Sequence, residues 1–482
     1  MNRRTVFSNF LWRFAERCGA QLVSAVVSVI LARLLVPKDY GDVAMVTVFI
    51  NLLNVFVAAG LGSALIQKKN ADDTDFSSVF YTNIVFCLVL YGLLFLASPL
   101  IARFYNRPEM GPMLRVLGIV LIISGVKNVQ IAYVSRHMQF RRFFFATLGG
   151  TIGAAMIGIW MAYRGYGAWA LIAQHLFNTA VDTLILWITV KWRPKKLFSF
   201  QRLKGLFSFG WKLLATSLIS ELYNNLRTLI IGKKYTSEDL AFYKKGENWP
   251  GLFITNINYS IDSVLLPSMS KVQDDRASVK AMTRRAIKTS TYLIAPALMG
   301  LFFVSEPLVR LVLTEKWLPI VPYQRIFCLT YMFYPIHTAN LSAIKAMGRS
   351  DLTLKLEIVK KIVSMVLLLT SMWFGVMAMA YSLLVMSVAR QIINTWPNKK
   401  LMKYGYLEQL KDILPAIVLA VVMGLIVYCV KFLHLGDIAT LAIQVPLGVV
   451  IYVGASLFFK MESFYYLLSL AKSFFKKTKQ AD

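Results

Sequence analysis

Six basic residues stand inside stretches that are otherwise apolar: Arg13, Arg17, Lys127, Lys212, Arg227 and Arg390. A charge at bilayer depth is costly unless it faces protein or water, so each is a candidate site residue. Arg13, Arg17, Gln21, Ser24 and Ser28 recur at intervals of three or four, which lays them on one helical face. Lys212, Thr216, Ser220, Asn224 and Arg227 repeat the design. A guanidinium offers a planar fork of donors that suits oxyanions, and a diphosphate above all. Candidate substrate-binding residues are therefore Arg13, Arg17, Gln21, Lys127, Lys212, Asn224, Arg227 and Arg390. Two plainer roles stay open. The Ser, Thr and Asn members can tie helices together, and Arg13, Lys212 and Arg390 can snorkel to headgroups.

Acids within these stretches are few: Glu16, Asp182, Glu221 and Asp262. They are candidates for ion coupling or simple partners of neighbouring Arg and Lys. No P-loop, zinc-spaced His set or nucleophile beside a base occurs. The four histidines lie on separate segments, and the four cysteines are far apart. The expectation is a transporter and not an enzyme. It would need no metal or cofactor, and H⁺, Na⁺ or the membrane potential alone would drive it.

The elements that position these residues follow from composition. Of 482 residues, 57% are hydrophobic and only 16% charged, with mean hydropathy +0.58. Soluble domains carry about 45–50% and about 25%. Apolar segments recur at 9–35, 43–66, 78–102, 113–134, 144–163, 167–190, 206–232, 249–268, 287–313, 320–344, 356–375, 376–397, 412–432 and 438–459. Each approaches the length needed to span a bilayer. The fold class expected is an all-α polytopic membrane protein with about 14 transmembrane helices. The first is retained, since no compact signal-peptide core or small-residue cleavage site is present.

The net charge of +29 is mostly a topology signal. With the N-terminus inside, 33 of the 53 Lys and Arg residues fall in cytoplasmic joints and 14 in outer ones. Both termini are then cytoplasmic, and a nucleic-acid partner is excluded. Short blocks also recur about 200 residues apart. Trp12-Arg13 matches Trp211-Lys212, Lys38-Asp39-Tyr40-Gly41 matches Glu238-Asp239-Leu240-Ala241, and Ser63-Ala64-Leu65-Ile66 matches Ser263-Val264-Leu265-Leu266. Six spans separate the copies, so both halves share one orientation. The division expected is an N-lobe at 1–204, a C-lobe at 205–398, and two extra helices with a basic cytoplasmic tail at 399–482.

The run Leu34-Leu35-Val36-Pro37-Lys38-Asp39-Tyr40-Gly41 resembles the flippases of the polysaccharide transporter family. So do Leu265-Leu266-Pro267-Ser268-Met269-Ser270-Lys271-Val272-Gln273-Asp274-Asp275 and Glu315-Lys316-Trp317. These are the Wzx-like members of the multidrug/oligosaccharidyl-lipid/polysaccharide exporter superfamily, and the likeness is greatest to the colanic-acid exporter branch. The resemblance implies two pseudo-symmetric, MATE-like six-helix lobes around a central cavity, and alternating access. It implies export of an undecaprenyl-diphosphate-linked oligosaccharide across the bacterial cytoplasmic membrane. Implied partners are that polyprenyl-linked glycan, membrane lipids and a polysaccharide polymerase, with a monomer as the working unit. Members often carry an acidic or small polar residue near the position of Arg227, so a cation site there is not carried over. Two other readings use the same fold: a multidrug exporter and a peptidoglycan-precursor flippase. The basic excess within the spans favours an anionic substrate. Moving two negative charges outward gains roughly 4–5 kcal/mol per 100 mV of inside-negative potential.

Overall fold

The computed structural model describes residues 3–58, 61–68, 70–139 and 141–478, with most side chains described from residue 19 onward. Helices and their joints make up the described residues, without a strand. The chain forms two compact units, residues 1–241 and 242–482.

The first unit holds α1 (Arg3–Leu34), α2 (Pro37–Ala58), α3 (Leu61–Gln67), α4 (Asp73–Tyr105), α5 (Met110–Arg136), α6 (Arg141–Tyr163), α7 (Ala168–Thr189) and α8 (Phe200–Lys234). It also holds the start of α9 (Ser237–Ser270). The second contains the rest of α9, then α10 (Arg276–Leu313), α11 (Ile320–Met332), α12 (Tyr334–Ala346) and α13 (Ser350–Ser371). It closes with α14 (Val376–Met402), α15 (Tyr406–Cys429), α16 (Asp437–Phe458) and α17 (Glu462–Thr478).

Each expected span falls on a helix, the second on α2 and α3. The tenth is divided into α11 and α12, parted at Phe333 where Pro335 opens the new helix. A proline fits the first turn of a helix because it lacks only a donor that has no partner there. Pro99 and Pro397 lie inside α4 and α14. Among the described residues, nine helices are long and apolar enough to cross a membrane: α2, α4, α5, α6, α7, α10, α14, α15 and α16.

The repeat is visible in the helix starts. Asp72 caps α4, accepting from the Thr74 and Asp75 amides at 3.1 Å. Asp275 caps α10 in the same way, accepting from Ala277 and Ser278 at 3.0 and 3.2 Å. Each carboxylate satisfies amides that an α-helix leaves without partners. In the first unit, α6 and α7 approach closely because α6 presents Gly149, Gly150, Gly153 and Gly158 to side chains of α7. α8 packs against α2, α3 and α4. In the second, α15 and α16 lie along α10, burying Ala420, Met423 and Val427. Their opposite faces stay exposed and aliphatic, through Val418, Val422 and Leu425 on α15 and Val445 and Val449 on α16. The basic tail contains a further helix, α17, whose Phe464 and Leu467 pack on that core.

Candidate functional site

The polar interior of the first unit is built on α5 and α7. Lys127 Nζ on α5 donates to Asp182 Oδ2 on α7, and both side chains are more than four-fifths buried. The candidate substrate ligand and the candidate coupling acid thus form one ion pair. Breaking such a pair from one side leaves a charge without compensation, which is costlier than the pair itself. His175 lies within electrostatic reach of Lys127. Between His175 and Asp182 on α7, Asn178 sits against Gly150, where a Cβ would come 2.7 Å from Asn178 Oδ1. Next to Lys127, Asn128 Nδ2 donates to the Val57 carbonyl at the end of α2.

The α8 stripe has a different character. Lys212, Thr216 and Asn224 are exposed and Ser220 is half-buried. The Thr216 and Ser220 hydroxyls donate back to the Lys212 and Thr216 carbonyls at 2.9 and 2.8 Å. Their acceptor lone pairs remain for water or a ligand. Glu221 Oε1 accepts from Asn225 at 2.8 Å on the same helix. Arg227 is buried, with 9% of its surface exposed. Gln21 on α1 is exposed. The side chains of Arg13, Glu16, Arg17 and Asp262 lie outside the described residues.

Arg390 belongs to the second unit, half-buried on α14. A histidine and a lysine absent from the candidate set lie near it. His337 on α12 is buried with neither ring nitrogen partnered among the described residues. It sits within electrostatic reach of Arg390 and of Lys360 on α13. Lys360 itself is buried and donates to Glu357 at 2.5 Å. A buried hydrogen-bonded network joins the same unit. Asn340 Nδ2 donates to Gln409 Oε1 at 2.8 Å, and Asn340 Oδ1 accepts from Gln409 and Asn398 at 2.9 and 2.6 Å.

A second cluster was not legible as a site. At the ends of α2 and α8 opposite the Asp72 cap, Arg107 from the α4–α5 joint donates to Asp42 Oδ1 at 2.9 Å. It also donates to the Tyr235 carbonyl at 3.1 Å. Ser237 Oγ donates to the same Asp42 oxygen. A cavity of about 630 Å³ opens beside them. Sequence reading counted Arg107 only as a loop charge; the available signal was the repeat itself, since residues 36–41 and 236–241 meet here. Among the described residues no cluster of His, Cys, Asp and Glu is arranged to hold a metal ion.

The first unit thus holds a buried ion pair on two apolar helices, α5 and α7, and a polar row on α8. The profile of the family described as "Polysaccharide biosynthesis protein" matches residues 30–322. The chain belongs to that family. It is a polysaccharide-transporter type member of the multidrug/oligosaccharidyl-lipid/polysaccharide superfamily, as the Leu34–Gly41 and Leu265–Asp275 motifs lead one to expect. Relatives within reach include the succinoglycan biosynthesis transport protein ExoT of Rhizobium meliloti, 25% identical over 66% of this chain and 64% of its own length. The match therefore spans somewhat less than two thirds of that relative. The teichuronic acid biosynthesis protein TuaB of Bacillus subtilis is 24% identical, with 77% of this chain and 78% of its own covered. The lipopolysaccharide biosynthesis protein WzxC of Escherichia coli is 24% identical over 76% and 74%.

Among solved structures, the lipid II flippase MurJ in an inward closed conformation aligns with TM-score 0.75 at 16% identity, covering 94% of this chain and 99% of that one. A multidrug resistance MATE family transporter in an inward-facing conformation aligns with TM-score 0.59 at 15% identity, covering 80% and 96%. These likenesses give the family member its fold: all-α and polytopic.

Proposed function

We propose that this protein is a flippase that exports an undecaprenyl-diphosphate-linked oligosaccharide across the cytoplasmic membrane by alternating access. The observation that carries this reading is the α8 face. Lys212, Thr216 and Asn224 are exposed on it, whereas the exposed faces of α4, α15 and α16 are apolar. A polar row of that kind belongs against water or a polar ligand, not hydrocarbon. Lys212, with Arg13, Arg17, Lys127 and Arg227, supplies the cations that meet the diphosphate, and Arg390 of the second unit is a further candidate. Gln21, Asn224 and the hydroxyls meet the glycan. Glu16, Asp182, Glu221 and Asp262 are the acids available for ion coupling, and the membrane potential contributes roughly 2.3 kcal/mol per outward negative charge per 100 mV.

The relatives support the substrate class, since their names place them in succinoglycan, teichuronic acid and lipopolysaccharide synthesis. The charge asymmetry of the joints supports fourteen crossings with both termini cytoplasmic. In this reading lobes 1–204 and 205–398 carry the path, 399–482 flanks it, one chain suffices, and a polysaccharide polymerase takes the product.

The test is deletion of the gene, with extraction of lipid-linked glycans from both leaflets. Accumulation of one oligosaccharide repeat on the cytoplasmic face, reversed by the wild-type gene, is the expected result. Complementation should fail with Arg17→Ala. Full activity of an Arg13, Arg17 and Arg227 triple neutralisation would overturn the cationic path. Unchanged surface polysaccharide with increased sensitivity to cationic drugs would overturn the substrate class.

A further inference from the structure

The hairpin of α4 and α5 carries a basic pocket that the proposed path does not use. A cavity of about 560 Å³ lies between the end of α4, the joint and the start of α5. Arg103, Arg107 and Arg115 line it beside Asn106, and among the described residues no carboxylate does. Glu109, the acid of that joint, faces Lys38 at 3.6 Å and lines the neighbouring cavity instead. Lys127, Asp182 and the polar row of α8 take no part in it. In the orientation given by the charge asymmetry this joint is on the outer side, where Lys and Arg are scarce. Three arginines around one pocket there call for a cause other than topology.

Two of the three have donors to spare. Arg107 is engaged by Asp42 and the Tyr235 carbonyl. Arg103 is exposed, and its side chain has no hydrogen bond or ion pair among the described residues. Arg115 is half-buried; its Nε donates to Ser98 Oγ at 2.8 Å, and its guanidinium carbon lies 4.4 Å from the centre of the Phe95 ring. Those contacts fix the guanidinium and leave its terminal N–H groups without an acceptor among the described residues. Ser98 stands five residues before Arg103 on α4, so Arg115 meets α4 about 7.5 Å deeper than Arg103 begins. A charge at that depth is costly unless an anion meets it.

The approach to the pocket is apolar. Val89, Leu93, Leu96 and Leu100 recur on α4 at intervals of three or four and lead to Arg103, so they share its face. All four are more than half exposed. From Leu93 to Arg103 the face runs about 15 Å, the hydrocarbon depth of one leaflet. Apolar surface of that length ending in a cluster of guanidinium groups is complementary to a lipid with an anionic headgroup. We propose that the pocket binds the phosphate of an anionic diacyl phospholipid of the outer leaflet between Arg103 and Arg115, with acyl chains along the Val89–Leu100 face of α4. A bilayer lipid is chosen over the exported one because the pocket shares no residue with the proposed path. A guanidinium can pair with two phosphate oxygens at once, where an ammonium makes a point contact.

The test is native mass spectrometry of the full-length protein titrated with phosphatidylglycerol. Wild type should retain it about tenfold more tightly than phosphatidylcholine, whose choline brings a cation to the same arginines. Arg103→Gln and Arg115→Gln should each weaken retention about tenfold, the loss expected for one charge-assisted hydrogen bond. Arg103 makes no side-chain bond that its loss could break, so that variant reads binding alone, and a melting curve checks the fold of Arg115→Gln. Lys38→Gln, the same loss of charge on the other outer joint of this unit, should leave retention unchanged. A diazirine in the acyl chain should mark residues 89–100. Equal retention by wild type and both arginine variants, or an equal loss with Lys38→Gln, would overturn the site and leave arginines that only reach for bulk headgroups. Full competition by inorganic phosphate would overturn the lipid in favour of a free anion. Tighter retention of polyprenyl phosphate than of phosphatidylglycerol would overturn the phospholipid and give the pocket to the exported lipid.

Discussion

Gly41 at the start of α2 lies directly on the backbone of Ser237 at the start of α9. A Cβ at this position would overlap the Ser237 carbonyl oxygen and approach its Cα at 2.8 Å. The two joints that meet here are the equivalent joints of the internal repeat. In one, the Val36 amide donates to Asp39 Oδ2 at 3.2 Å; in the other, the Thr236 amide donates to Asp239 Oδ2 at 3.2 Å. A backbone obstacle cannot rotate away as a side chain can. Gly41→Ala should therefore destabilise the first unit by about 3 kcal/mol or more, at the upper end of overpacking costs. Detergent-solubilised protein should show a lower melting temperature and reduced monodisperse yield. An unchanged melting curve would mean that the joints do not meet this closely. Gly165→Ala is a poor control because φ there is +81°; Gly205→Ala, with nothing near its Cβ, is a good one.

The Lys127–Asp182 pair makes a prediction about charge. Lys127→Ala and Asp182→Ala each strand a mostly buried charge, and each should reduce both stability and export. The double substitution removes both charges and should recover stability relative to the sum of the singles, with a coupling of about 1–3 kcal/mol. Thermal unfolding of the four proteins measures it. Export, read as surface polysaccharide, separates two roles. If the pair is only structural, the double variant regains export with stability. If Lys127 meets substrate or Asp182 a coupling ion, it regains stability alone.

That pairing could not be read from the chain. Helical periodicity gives the face on which Lys127 or Asp182 sits, but not which faces of helices 55 residues apart meet. The elements themselves were legible because a bilayer span needs a long apolar run, and composition announces such runs. The break in the tenth span was not, because hydropathy barely changes across it. Asn128 reaches α2 through the Val57 carbonyl, a long-range hydrogen bond without a sequence signature. The stripe on α8 was legible as a spacing, and the repeat as matched blocks at Lys38–Gly41 and Glu238–Ala241. Arg107 was not, since a joint residue counts as charge until its partners are seen.

Arg107 and Asp42 supply a further test. Their side chains are 20% and 12% exposed, and Asp42 also accepts from Ser237. Arg107 in turn satisfies the Tyr235 carbonyl, so Arg107→Ala strands both a carboxylate and the end of α8. Arg107→Ala should cost more stability than Asp42→Asn, which keeps an acceptor for Arg107 and for Ser237. A cost of about 2–4 kcal/mol is expected for Arg107→Ala, somewhat below that for breaking a fully buried pair. Chemical or thermal unfolding of the two variants decides it. Equal costs would show that the Tyr235 carbonyl contributes nothing.

The cap of α4 predicts how one contact responds to acid. Arg202 donates to both oxygens of Asp72, at 2.6 and 2.5 Å, and the amides of Asp75 and Thr74 add to it. The Arg202 bond, first, and those amides hold the Asp72 carboxyl below the usual carboxylate range. An acid whose folded pKa is depressed contributes stability that is complete above its unfolded value, near 3.9. That contribution is lost as pH falls through the lower folded value. Wild type and Arg202→Gln should therefore differ in melting temperature by a constant amount from pH 7 to about 5. The gap should close below about pH 4, because protonated Asp72 no longer distinguishes them. Both side chains are about half exposed, so added salt should narrow the gap at neutral pH as well. A gap unchanged between pH 7 and pH 3 would show that Arg202 acts on α8 by packing and not through the Asp72 carboxylate.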